Sequence, residues 1–94
     1  YVLIGGAGLI GLGLAQRLLI LGHTVAMIDI DPGACRYARE QLGVMAFEGS
    51  AVSTETLLEA GIRKADALAA VLRDDALNLA MVTLAKHYGV GHIT

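Results

Sequence analysis

Tyr1-Val2-Leu3-Ile4-Gly5-Gly6-Ala7-Gly8-Leu9-Ile10-Gly11 is the stretch that decides the fold. A short aliphatic run breaks into glycines, and an apolar segment then resumes without a charge until Arg17. That is the pattern of a buried strand turning tightly into a helix. The loop Gly6-Ala7-Gly8-Leu9-Ile10-Gly11 has the Gly-x-Gly-x-x-Gly spacing, and each glycine has a physical task. Gly6 permits the turn out of the strand, Gly8 leaves the backbone open to a pyrophosphate, and Gly11 lets the helix pack close to the strand. The free N–H groups at the helix start face the phosphates, and the helix dipole adds favourable potential.

Working outward, strand and helix alternate with short connections. The helix from Leu9 to Leu21 stops at Gly22, and Thr24 to Asp29 reads as the second strand. Asp29 then falls at the carboxyl end of that strand, near the spacing of roughly 20 residues at which an acid meets a ribose. A carboxylate there accepts both ribose hydroxyls and repels a 2′-phosphate. Asp31 suits the N-cap of the next helix and Pro32 its first position. Asp31 has a second reading as a ligand contact, with capping favoured. That helix ends at Gly43. Val44 to Phe47 is a third strand, closed by Glu48-Gly49-Ser50, and Ser53 or Thr54 caps a short helix to Ala60.

Ala65 to Leu72 has a composition that suits helix or strand, and its position between two helices decides for a strand. Asp74 or Asp75 begins the last helix, which runs through Tyr88 to Gly89, and Val90 to Thr94 is the fifth strand. This order predicts an α/β fold: a Rossmann-like three-layer sandwich with a parallel sheet in the order 3-2-1-4-5. The whole of 1–94 reads as one nucleotide-binding domain, a segment of a longer protein.

The bulk numbers agree. Apolar residues make up 55% of the 94, with few aromatics, as a sheet covered on both faces requires. The net charge is −2 and the seven Lys and Arg are scattered, so nothing supports a nucleic-acid surface. The single cysteine, Cys35, excludes an internal disulfide and reads as a half-buried helix residue. Tyr1 to Ala15 is uncharged, yet it is shorter than the roughly 20 residues of a membrane span and rich in glycine.

Gly5-Gly6-Ala7-Gly8-Leu9-Ile10-Gly11, Ile28-Asp29-Ile30-Asp31, Gly49-Ser50-Ala51, Ala65-Asp66-Ala67-Leu68 and Asp74-Asp75-Ala76-Leu77-Asn78-Leu79 follow in the order and spacing of one family. Across essentially its whole length the chain resembles the TrkA-N domain, also called the RCK or KTN domain, of potassium channels and transporters. The resemblance implies a cytoplasmic regulatory domain at the inner face of the membrane, not a catalyst. It implies NAD or NADH, or AMP, ADP or ATP, held at the carboxyl edge of the sheet. Gly6, Gly8 and Gly11, with Leu9 and Ile10 between them, would face the phosphates. Asp29, with Ile30 and Asp31 beside it, would face the ribose. Gly49, Ser50 and Ala51 would sit by the adenine. The loop Leu72-Arg73-Asp74 would close the other side, with Asn78 one turn into the following helix. The implied partners are a second copy of the chain, or a larger ring, and a membrane potassium channel or transporter subunit.

Three positions depart from the family pattern. Position 9 is Leu where ATP-responsive members often have Arg. Position 50 is Ser where Asp is usual, which removes a charge that calcium-responsive relatives use. Position 72 is Leu in place of Thr. Arg73 is unusual and is placed to supply part of the missing positive charge.

No catalytic set is legible. His23, His87 and His92 are scattered and none pairs with a second metal ligand at useful spacing. Asp74 and Asp75 are adjacent, so they point to different helix faces and suit a helix start better than acid–base work. The first and last helices are apolar nearly all round, more than one sheet-facing stripe needs; the excess lies under neighbouring helices or at a subunit interface, and an interface is favoured for part of it. The alternative reading is the cofactor half of an NAD-dependent dehydrogenase; a protein-binding scaffold with no ligand is the third.

Overall fold

The computed structural model describes all of residues 1–94. Five parallel strands, β1 (Val2–Gly5), β2 (Val25–Asp29), β3 (Met45–Glu48), β4 (Ala67–Ala70) and β5 (His92–Ile93), form one sheet in the order β3-β2-β1-β4-β5. The expected Rossmann-like order is therefore present. The helices are α1 (Leu9–Ile20), α2 (Pro32–Leu42), α3 (Thr54–Glu59) and α4 (Asp75–His87).

Period-2 alternation sorts the strand residues between two cores. Val2, Ile4, Val25 and Met27 pack with Ala15, Cys35 and Ala38 under α1 and α2. Leu3, Ala26, Ile28 and Leu68 pack with Leu57, Met81 and Ala85 under α3 and α4. β1 and β2 are nearly continuous aliphatic runs because both of their faces are covered.

The helix limits follow local chemistry. Asp31 caps α2 by accepting from the Gly33 N–H at 2.9 Å, with Pro32 at the first position and Gly43 closing it at φ +68°. Ser53, not Thr54, caps α3. Asp74, not Asp75, caps α4 by accepting from Leu77 N–H at 3.1 Å. The main difference from the sequence reading lies before β4. Ile62–Lys64 form a 3-10 turn, and the strand is Ala67–Ala70, shorter at both ends than Ala65 to Leu72. Ile62 is fully buried and anchors that turn in the core, a tertiary contact that overrides local composition. β5 is likewise shorter than Val90 to Thr94, covering His92 and Ile93.

Cys35 is fully buried, not half-buried. It faces the sheet from the first turn of α2, and its thiol donates to the Asp29 carbonyl at 3.4 Å. Burial pushes its pKa up, so the thiol stays protonated and inert. α1 buries only Gly11 and Ala15, leaving Leu9, Ile10, Ile20 and Leu21 exposed; on α4, Leu79 is exposed too. No helix is long and apolar enough to cross a membrane.

Candidate functional site

In open α/β sheets the strand order reverses at one place, and the loops leaving adjacent strands there diverge to open a crevice. Here that place lies between β1 and β4. A cleft of about 430 Å³ sits at this carboxyl edge, within the roughly 300–1,000 Å³ of small-molecule sites.

Its floor is the glycine turn. Gly6 has φ +114°, and a Cβ there would meet the Val71 carbonyl oxygen at 2.7 Å, so both its conformation and its surroundings demand glycine. A Cβ on Gly11 would enter the Gly6 carbonyl, which is how close α1 comes to the end of β1. Gly8 differs. A Cβ there would meet nothing within 4 Å, so the protein's own packing does not require glycine at that position. The space beside it opens into the cleft.

Gly8 is the N-cap of α1, and no side chain caps that helix. The first intrahelical bond is Leu12 N–H to Gly8 C=O at 2.9 Å, and the N–H groups of Gly8, Leu9, Ile10 and Gly11 have no acceptor within the chain. Leu9 and Ile10 turn their side chains outward, 90% and 74% exposed, so they bury nothing at the start of α1.

Asp29 does more than the sequence reading assigns to it. Its Oδ2 accepts from the Ala7 N–H at 2.8 Å and its Oδ1 from the Asp31 N–H at 2.9 Å. The carboxylate thus ties the glycine turn to the β2–α2 turn and withdraws the Ala7 amide from the set available to a ligand. Each carboxylate oxygen accepts more than one hydrogen bond, so capacity for hydroxyl donors remains. No periodicity or motif could have shown this tie, because it spans two loops.

Of the residues singled out in the sequence, Gly6, Gly8, Asp29, Ile30, Asp31, Ser50, Ala51, Leu72, Arg73 and Asp74 line the cleft together. Leu9, Ile10, Gly11, Gly49 and Asn78 do not. Gly49 packs against Thr56, where a Cβ would meet the hydroxyl at 2.6 Å. Asn78 turns its amide to Leu72: Oδ1 accepts from the Leu72 N–H at 2.8 Å and Nδ2 donates to the Leu72 carbonyl at 2.9 Å. The Ser50 hydroxyl accepts from Val52 N–H at 3.2 Å in its own turn. Ala34, Val52, Val71 and Leu77 complete the apolar walls. Sequence reasoning missed them because an aliphatic residue on a wall has the same local signature as one in the core. Three carboxylates, Asp29, Asp31 and Asp74, and one guanidinium, Arg73, are the ionisable groups of the lining. No cluster of three metal-ligating side chains occurs in the chain.

The family model described as the TrkA-N domain matches residues 2–94. The chain belongs to the TrkA-N domain family. Among its relatives is the "Trk system potassium uptake protein TrkA" of Streptomyces coelicolor, 38% identical over 94 residues, covering 99% of this chain and 42% of that protein. The TrkA homolog of Pyrococcus abyssi is 38% identical over 87 residues, covering 93% of this chain and 38% of that protein. This TrkA-N domain therefore spans about two fifths of the length of these relatives. Among solved structures, the C-terminal domain of Shewanella denitrificans Kef in its AMP-bound form superposes with TM-score 0.82 at 25% identity, covering 98% of this chain and 54% of that one. The TrkA-N domain of the Escherichia coli inner membrane protein YbaL superposes with TM-score 0.74 at 19% identity, covering 100% and 85%. The second likeness speaks for the fold, which the TrkA-N assignment already requires.

Proposed function

We propose that this TrkA-N domain binds an adenine dinucleotide, NAD or NADH, in the cleft between β1 and β4, and that it acts as a cytoplasmic regulatory domain of a potassium channel or transporter at the inner face of the membrane. One observation carries the reading. The N-terminus of α1 presents unpartnered amides beside a glycine that only a ligand would need, with Asp29 held next to them. A pyrophosphate suits the amides of Gly8, Leu9, Ile10 and Gly11, and the helix dipole favours its charge. The remaining lone pairs of Asp29 suit ribose hydroxyls, and a 2′-phosphate beside Asp29 and Asp31 would be repelled, which sets NADP aside. Ile30, Ala51, Val52 and Leu72 suit the flat faces of adenine, and Arg73 suits an anionic group on the far side. The potassium role is supported by the Trk potassium uptake proteins among the relatives, and AMP in the Kef structure supports an adenylate in this cleft.

In this reading the domain regulates by population shift. It pairs with a second copy, or joins a larger ring, through the apolar surfaces of α1 and α4, and nucleotide favours one geometry of the assembly. A preference of about 1.4 kcal/mol for one geometry shifts the equilibrium about tenfold, whereas equal affinity for both shifts nothing. No residue of the cleft is assigned a proton-transfer or nucleophilic role, and the domain is not an enzyme.

Calorimetric titration of the full-length protein with NAD, NADH, NADP, ATP, ADP and AMP tests the reading. NAD or NADH is expected to bind, and Asp29→Ala to weaken every adenosine ligand. A wild type and an Asp29→Ala variant that titrate alike would remove the ribose assignment. Protein-dependent loss of nicotinamide absorbance with an oxo acid would overturn the regulatory role in favour of a dehydrogenase.

A further inference from the structure

We infer that Asn78 is a positioning residue for the cleft: its amide staples Leu72, and so fixes the loop that carries Arg73 and backs Gly6. The inference rests on the nucleotide reading and deepens it. Beyond β4, Val71 still donates its N–H to the Gly5 carbonyl at 2.9 Å, but Leu72 makes no backbone–backbone hydrogen bond. A partly buried peptide group needs partners. Asn78, in the first turn of α4, supplies both, taking the Leu72 N–H on Oδ1 and giving Nδ2 to the Leu72 carbonyl. A primary amide carries a donor and an acceptor side by side, as a peptide edge does, so one side chain replaces a neighbouring strand. An ionised Asp lacks the donor, and Gln is longer by a methylene.

Leu72 is where this staple has most reach. On one side of it is Val71, whose carbonyl lies against Gly6. On the other is Arg73, the one basic residue of the cleft lining. Holding the Leu72 backbone therefore sets the support of the glycine turn and the starting point of the Arg73 side chain together. Asn78 itself does not line the cleft. Its effect on a ligand is exerted through Leu72, by keeping the loop in the binding arrangement before the ligand arrives.

The test uses the full-length protein, NADH titration by calorimetry, and hydrogen–deuterium exchange of the segment Val71–Asp74 without ligand. Asn78→Ala is expected to speed exchange at Leu72 and to weaken NADH about tenfold, as for a loop in the binding position roughly a tenth of the time. Asn78→Asp keeps the acceptor for the Leu72 N–H and puts a carboxylate in the first turn of α4, where the helix dipole favours it. Its melting temperature is expected to stay near that of wild type while NADH still weakens, a split that a purely structural residue would not produce. Variants that titrate like a binding wild type overturn the inference alone. Weakened NADH with unchanged exchange at Leu72 also overturns it, by making Asn78 a direct contact. A wild type that takes up no NADH overturns the nucleotide reading itself, and the inference with it.

Discussion

α1 and α4 both begin at the edge of the same cleft, and they begin in opposite ways. α4 is self-sufficient: Asp74 caps Leu77, Asp75 puts a second acid in the first turn, and Asn78 joins the helix to the loop before it. α2 and α3 are capped by their own Asp31 and Ser53. α1 has no side-chain cap and no acid in its first turn. Three helices satisfy one first-turn amide each with a side chain of their own, and the fourth satisfies none that way. Glycine at the N-cap is within a few tenths of a kcal/mol of a side-chain cap, so leaving the amides of α1 open costs little stability.

The sharpest way to break this contrast is at the base of α1. Gly11→Ala drives a methyl into the Gly6 carbonyl, backbone that has no rotamer to yield, so α1 must lift from the sheet. A loss of about 3 kcal/mol or more is expected in urea unfolding, at the upper end of overpacking costs. An unchanged midpoint would mean that the close approach of α1 to β1 is not required.

Gly8→Asp turns α1 into a helix like α4. Gly8 has φ −81° and ψ −166°, which any residue adopts, and its Cβ would meet nothing, so the substitution fits the fold. Stability is expected to hold or rise by a few tenths of a kcal/mol, since Gly is already a fair cap. Like charges near 4 Å repel by about 4 kcal/mol at an effective dielectric near 20. Affinity for NADH should therefore fall at least about a hundredfold. A Gly8→Asp protein that is as stable as wild type and binds as tightly would show that the open amides serve no ligand.

Asp74→Ala is the reverse experiment, removing the cap from the self-sufficient helix. About 1 kcal/mol of stability should be lost, read as a lower melting temperature, with NADH affinity changed far less than by Gly8→Asp. Equal losses of affinity at the two positions would erase the distinction between a cap and a binding site. The smallest effect concerns Cys35. Its thiol, buried and held in the neutral form, should resist a disulfide reagent in the native protein at neutral pH and react only on unfolding. Rapid native labelling would mean that the first turn of α2, next to Asp29, opens readily.

Much of this was legible because the deciding features are local. Strand and helix alternation, the glycine spacing, Asp31-Pro32 at a helix start and Gly43 at a helix end each act within a few residues. The strand order was expected from the Rossmann-like pattern of the glycine loop and its acid, since right-handed crossovers alone also allow 2-1-3-4-5. The errors cluster where distant contacts decide. Buried Ile62 anchors a 3-10 turn between α3 and β4 that the sequence reading left unassigned, and β4 is shorter than Ala65 to Leu72. Cys35, read as a half-buried helix residue, is covered completely within the core under α1 and α2.

From sequence alone, then, came the alternation of elements and the position of the glycine turn, because backbone sterics, period and capping fix these over short spans; the sheet order came from the motif that those elements carry. Tertiary structure alone decided which amides stay open. It brought Asp29 to the Ala7 N–H, Asn78 to both sides of Leu72, and Val71 against Gly6. Each of these joins residues on different loops, and a hydrogen bond between loops has no trace in periodicity or spacing until the chain has closed on itself.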